Sequence, residues 1–133
     1  MKEWYIFFMN GNLLIDKVLK SGYQHIFVIG RDDYNWYLIN PMIDKFNFEI
    51  LPFEPEDIAS IEKHYISVCE KVLHFTNDNP KKFNYFQPFS VATCVQIIKY
   101  ILRIKCWSIT PYQLYKHLIK IDGKNGYTVK ELN

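Results

Sequence analysis

The chain has 133 residues, of which 49% are hydrophobic and 17% aromatic, and its 16 basic and 14 acidic residues give a formal net charge of +2. This length and apolar content predict one globular domain with its own core. The balanced charge argues against nucleic-acid binding, which usually requires a concentrated basic face. Polar residues interrupt the apolar run near the N-terminus, so it predicts neither a signal peptide nor a membrane span.

The first forty residues predict a strand, a helix and a β-hairpin in that order. Residues 3–8 predict the first strand, and residues 12–22, with apolar residues near helical spacing and a final glycine, predict a short helix. The hairpin has two apolar arms, 26–30 and 36–39, separated by a polar cluster typical of a turn.

The middle of the chain is harder to interpret. Alternation of Phe46, Phe48 and Ile50 with polar residues predicts a half-buried strand. Residues 56–75 fit a helix and a strand about equally well, so the sequence leaves that segment open. The composition of residues 77–88 predicts a loop.

Two helices are predicted near the C-terminus. The first covers Phe89–Lys105 and has one apolar face. The second covers Thr110–Lys120, where Thr110 as N-cap, Pro111 at the first helical position and Gln113 at the third form a capping box.

The elements together predict an α+β fold. We expect an antiparallel sheet of about four or five strands with the two C-terminal helices packed on it. Residues 1–121 are predicted to form a single domain, and residues 122–133, which contain two glycines, are predicted to form a loose tail.

The hairpin contains a histidine and an asparagine at the ends of its two arms. A turn centred between Asp32 and Asp33 would pair Ile29 with Trp36 and His25 with Asn40. Opposed residues in an antiparallel pair point to the same face, so this register predicts an imidazole beside a carboxamide. A shift of one residue would separate them.

A cysteine at the start of the strong helix supplies a third reactive group. The helix dipole and unpaired backbone amides at this position favour the thiolate of Cys94. His25 then fits the role of general base, and Asn40 fits the role of orienting its ring. The Cys94 amide and the side-chain amide of Gln87 are candidate oxyanion donors.

The segment HIFVIGRDDYNWYLINP and the pair Gln87 and Cys94 resemble papain-like cysteine peptidases. In that family a His opens an apolar strand, an Asn ends the next strand, and a Gln precedes the Cys of the central helix. Here His25 and Asn40 precede Cys94, which is similar to the circularly permuted papain-like group related to NlpC-type cell-wall peptidases. With TPYQLYKHL, the pattern also resembles small proteins of tailed-phage genomes.

The resemblance implies a thiol hydrolase that acts on a peptide or related acyl bond and needs no cofactor. The alternative is a non-catalytic structural or interaction protein with a degenerate papain-like fold, such as a phage virion or assembly component, with a protein partner or a homo-oligomer. Each candidate residue also has a structural explanation: a strand-end histidine, a turn asparagine, a buried thiol or a surface glutamine.

The three cysteines predict the compartment. The number of cysteines is odd and none has C-x-x-C spacing, which indicates reduced thiols; they are Cys69, Cys94 and Cys106. Reduced thiols predict a cytoplasmic protein. If the chain is from a phage, we expect it in the host cytoplasm or in the virion. His64, His74 and His117 lack zinc-site spacing, so no metal is expected. Neither nucleic acid nor membrane is expected as a partner.

Overall fold

The computed structural model describes residues 3–11, 19–42, 45–78 and 94–133. In chain order the elements are β1 (Glu3–Met9), β2 (His25–Arg31), β3 (Trp36–Pro41), β4 (Phe46–Leu51), α1 (Ile58–Ile66), β5 (Lys71–Asn77), α2 (Cys94–Leu102), α3 (Pro111–Ile121) and β6 (Tyr127–Glu131). Every described strand pair is antiparallel, in the order β4-β3-β2-β1-β5-β6. The predicted α+β class is confirmed, with six described strands in the sheet. None of the described helices is long and apolar enough to cross a membrane.

The sheet is buried on both faces because helices pack on each side. The α2–α3 core, on one face, consists of Trp4, Ile6, Phe8, Tyr23, Ile26, Val28, Ile39, Leu73, Phe75, Val95, Ile98, Leu102, Ile104, Leu114, Leu118 and Val129. The α1 core, on the other, consists of Tyr5, Phe7, Phe27, Ile29, Trp36, Leu51, Ile61 and Val72. Successive side chains of a strand point to opposite faces, so the continuous apolar runs of β1 and β2 supply both cores.

The segment that the sequence leaves open contains both a helix and a strand. The Asp57 side chain accepts a hydrogen bond from the backbone N–H of Ser60 and caps the N-terminus of α1. After α1 ends at Ile66, residues 71–77 form β5, which pairs with β1. Either interpretation alone would have been wrong.

Helix α2 ends earlier than the sequence predicts. Its end has the Schellman pattern, with Arg103 N–H donating to Tyr100 O and Ile104 N–H donating to Lys99 O. Arg103 adopts a left-handed conformation, with φ of 57°. Glycine usually occupies this position, so the sequence lacks the usual stop signal and the prediction continued to Lys105. The predicted residues 89–93 lie outside the described part of the chain.

Helix α3 begins as predicted. The Thr110 side chain accepts from the backbone N–H of Gln113, and the Gln113 side chain accepts from the backbone N–H of Thr110. Together with Pro111 in the first turn, this confirms the capping box.

The prediction of a loose C-terminal tail is wrong. Tyr127–Glu131 form β6, which pairs with β5 at the edge of the sheet. Val129 is buried in the α2–α3 core, and its backbone N–H donates to the Asp122 side chain. Five residues carry too little periodicity to reveal a strand whose partner lies more than fifty positions earlier.

Strand β4 is present as predicted, but its apolar row is not buried. Phe46, Phe48 and Ile50 are 55%, 53% and 62% exposed, respectively. They lie on the same face of the sheet as the α2–α3 core, but the helices bury this face only over the inner strands. Most of the helix predicted at 12–22, and of the loop predicted at 77–88, lies outside the described residues.

A buried lysine joins α2 to the segment that leads to α3. Lys99 is only 1% exposed, and its Nζ donates to Cys106 O at 2.8 Å and to Ser108 O at 2.9 Å. These bonds satisfy two backbone carbonyls that face the ammonium group, which is the condition for burying a charge without a large penalty.

We expect Lys99→Ala to lower the free energy of unfolding by about 3 kcal/mol, because it leaves buried carbonyl groups without their donor and opens a cavity. Lys105→Ala, at an exposed position nearby, should change it by less than about 0.5 kcal/mol. Urea midpoints measured at constant slope test both values. Equal midpoints for the two variants would contradict the anchoring role of Lys99.

Candidate functional site

The hairpin that carries His25 and Asn40 has a different register from the predicted one. Ile29 pairs with Leu38 and Arg31 with Trp36, a shift of two residues. The cause is the turn: the Asp32 carboxylate accepts from the backbone N–H groups of Tyr34 and Asn35, and the Asp32 N–H donates to Asn35 O, so the turn is centred between Asp33 and Tyr34, one residue later than predicted. A two-residue shift leaves every side chain on its predicted face.

His25 and Asn40 are therefore diagonal neighbours that still meet. The distance between His25 Nε2 and Asn40 Oδ1 is 2.7 Å. A carboxamide oxygen can only accept a hydrogen bond, so Nε2 must carry the proton. In the neutral ring the other nitrogen, Nδ1, then has the lone pair and can act as a base. The predicted contact is thus present in the structure, although the predicted register is wrong.

Cys94 is the first described residue of α2, and the residues before it lie outside the described part of the chain. Its side chain packs against the α2–α3 core. His25 pairs with Met9, which packs against the α1 core, and strand alternation places His25 on that same face. The structure therefore brings His25 and Asn40 together and places the thiol against the opposite core. Gln87 lies outside the described residues.

A second polar group lies on the α1 face, at the opposite end of the strands. Glu3 bridges two neighbouring strands: its Oε2 accepts from Arg31 Nε at 2.6 Å, and its Oε1 is 2.7 Å from His74 Nε2. The Tyr5 ring lies 4.9 Å from the His74 ring. This network could not be predicted from the sequence because its members come from three strands. The only local signal was a charged residue at the end of an apolar run.

Electrostatics in this network favour the ionised carboxylate. Burial raises the pKa of Glu3, but hydrogen bonds and positive charge from Arg31 and His74 outweigh burial and hold the pKa below its usual value. Burial raises the pKa of Tyr5 to about 12, and the charge of Glu3 adds to this effect. Glu3 is thus an anion at neutral pH, with its charge satisfied by neighbours.

The described residues contain no group of three or more His, Cys, Asp or Glu side chains that could hold a metal ion. All three cysteines are described, and none forms a disulfide. Burial raises the pKa of Cys69 to about 11, so this thiol is protonated at neutral pH.

The hydrogen bond to Asn40 predicts that neutral His25 is protonated at Nε2. Long-range ¹H–¹⁵N correlation spectra at a pH above about 8 should show this tautomer. Asn40→Ala should move His25 towards a mixture of tautomers and leave exposed His64 unchanged. Protonation at Nδ1 in the unmodified chain would contradict the described geometry.

The Glu3 network predicts a pH-dependent stability. Because the pKa of Glu3 is lowered by folding, its contribution is present above the unfolded pKa and is lost as pH falls through the folded pKa. Glu3→Gln should therefore unfold at lower urea concentration than the unmodified chain at about pH 7, with a smaller difference at about pH 3.5. Glu56→Gln, at an exposed position, is the control. A difference that does not change with pH would contradict this assignment.

The sequence-predicted residues fall into three groups. His25 and Asn40 are hydrogen-bonded, Cys94 begins α2 on the other side of the sheet, and Gln87 is outside the described chain. No protein-family model, curated protein or solved structure matches the chain.

Proposed function

We propose that the chain is a papain-like thiol hydrolase that cleaves a peptide or related acyl bond. The observation that supports this proposal best is the 2.7 Å hydrogen bond between His25 Nε2 and Asn40 Oδ1. It fixes the imidazole ring and leaves Nδ1 to act as base, which is the role that an orienting group plays for a catalytic histidine.

In the proposed reaction Cys94 is the nucleophile. His25 Nδ1 takes the thiol proton, and the thiolate attacks the carbonyl carbon of the substrate to form a tetrahedral oxyanion. The Cys94 backbone amide, at the start of α2, and the Gln87 side chain donate hydrogen bonds to the oxyanion. His25 then gives the proton to the leaving group, and water hydrolyses the thioester.

The position of α2 is the second support. This helix packs on β2 and β3, the strands that carry His25 and Asn40. Cys94 packs against the α2–α3 core and His25 lies on the α1 face, so the reaction requires the Cys94 thiol to reach His25 Nδ1 from the opposite face of the sheet. That pairing is the step to test first.

A non-catalytic structural or interaction protein is the second candidate function. The observation that favours it is the packing of Cys94 against the α2–α3 core, whereas His25 shares the face of the α1 core. A partly buried thiol in such a place can act as a small apolar group. With either function, the reduced cysteines fit a reducing compartment such as a host cytoplasm.

The pH dependence of iodoacetamide labelling, located by mass spectrometry, tests the thiol–imidazole pair. In the enzyme, Cys94 should label well below the ordinary thiol pKa of about 8.5, because the imidazolium stabilises the thiolate. His25→Ala should move the labelling curve of Cys94 to higher pH, and Asn40→Ala should move it in the same direction by less.

The chain supplies its own controls. Cys69, whose pKa burial raises to about 11, reports in the same sample how a buried thiol labels. His64→Ala removes an exposed imidazole and should leave the Cys94 curve in place. If Cys94 labels only after unfolding, or labels identically in the His25→Ala variant, the hydrolase proposal is wrong and the interaction protein is favoured.

A further inference from the structure

Among the described strands β4 pairs on one side only, and its apolar row is exposed. It is the outermost strand on its side of the described sheet. Its row of Phe46, Phe48 and Ile50 is more than half exposed at every position. All six residues of β4 pair with β3 without a bulge, and the strand contains neither lysine nor proline. Natural edge strands usually carry such features because they prevent pairing with another chain.

The opposite edge is protected. Strand β6 has Lys130 and Glu131 exposed near its end. On the α2–α3 face of this strand, Val129 is buried. Charged side chains of this kind discourage strand addition. Strand β4 has one exposed charged residue, Glu49, beside its three exposed apolar residues, so of the two edges β4 is the better suited to association.

The hairpin between β3 and β4 shows which backbone groups of β4 point outward. The backbone N–H of Met42 donates to Lys45 O at 2.8 Å and closes the turn. Hydrogen-bonded and non-hydrogen-bonded pairs alternate from this point, so Asn47 and Glu49 bond to β3. The N–H and C=O groups of Phe46, Phe48 and Ile50 therefore point away from the sheet.

We propose that β4 pairs antiparallel with β4 of a second copy of this chain, with Phe48 on the two-fold axis. Phe48 then lies opposite Phe48 of the second copy, and Phe46 lies opposite Ile50. The outward N–H and C=O groups form three pairs, each with two hydrogen bonds. On the other face, Asn47 lies opposite Glu49 of the second copy; its Nδ2 already donates to Glu49 Oε1 of its own chain at 2.9 Å, and the second N–H of that amide can donate to the facing carboxylate.

Other registers are less favourable. A shift of one residue sets outward backbone groups against groups already bonded to β3. A shift of two residues in one direction places Glu49 opposite Glu49 and Phe46 opposite Pro52, which has no N–H. A shift of two residues in the other direction leaves Ile50 unpaired, because it then lies beyond the start of β4 in the second copy. The central register alone keeps apolar residues opposite apolar residues along the whole strand.

The apolar row also extends an existing aromatic contact. The Tyr37 and Phe48 rings stack with centroids 5.7 Å apart on the same face of the sheet. Pairing would place the second copy's row beside this stack and cover it from the side. This self-association does not depend on the thiol chemistry, because it uses the edge of β4 and neither Cys94 nor His25.

Sedimentation velocity over a range of concentrations tests the dimer. The unmodified chain should show a reversible monomer–dimer equilibrium. Phe48→Lys should weaken the dimer about tenfold or more, because it removes the central aromatic pair and sets two like charges opposite each other. Val68→Lys introduces the same charge at a 65% exposed apolar position between α1 and β5, and should leave association unchanged.

Two further measurements test the register. Asn47→Lys should tighten the dimer about fivefold by facing Glu49 of the second copy, and Asn47→Glu should weaken it. Amide hydrogen exchange of Phe46, Phe48 and Ile50 should slow with rising protein concentration, whereas Asn47 and Glu49 should be protected at every concentration. A chain that stays monomeric throughout, or a dimer in which Phe46, Phe48 and Ile50 exchange freely, would overturn the proposal.

Discussion

Strand β1 holds the two sides of the sheet together. Its side chains are buried in both cores, and its backbone pairs with β2 on one side and β5 on the other. Because an unpaired buried backbone group costs free energy comparable to a lost hydrogen bond, β1 can be buried only when both neighbours are present. The positions of both polar groups on the α1 face follow from this constraint. His25 is placed by its pairing with Met9, and Glu3 bridges Arg31 and His74 because β1 lies between their strands.

The two polar groups on this face have different physical characters. The Glu3 network balances charge: an anion is stabilised by a guanidinium group and an imidazole, so its parts satisfy one another. The His25–Asn40 pair is a neutral dipolar contact that fixes a ring and uses only one of its nitrogens. A catalytic base needs a nitrogen whose lone pair can accept a proton. The His25–Asn40 pair therefore supports the proposed function, whereas the Glu3 network is a stabilising element.

The sequence predicted what depends on local chemistry. The capping box of α3 was correct because Thr110 and Gln113 act on each other three positions apart. The His25–Asn40 contact was also correct, although the register was wrong, because the period of two preserves the face under a two-residue shift. The predictions failed where the structure of a segment depends on contacts with distant parts of the chain. The burial of the β4 row depends on how far α2 and α3 extend across the sheet. The existence of β6 depends on β5, and the end of α2 depends on a left-handed Arg103 followed by Ile104, which is buried in the α2–α3 core.

The central position of β1 has a consequence for how the chain folds during synthesis. β1 leaves the ribosome first, and β2 can pair with it after about thirty residues, but its other edge must wait for residues 71–77. During that interval a strand whose residues 4–9 are all apolar exposes one row of unpaired backbone groups, and contacts of such large sequence separation form slowly. The nascent chain therefore passes through a stage in which a strand that is later buried in both cores has one unpaired edge, which favours aggregation. Binding by a chaperone at that stage would protect β1 until β5 arrives.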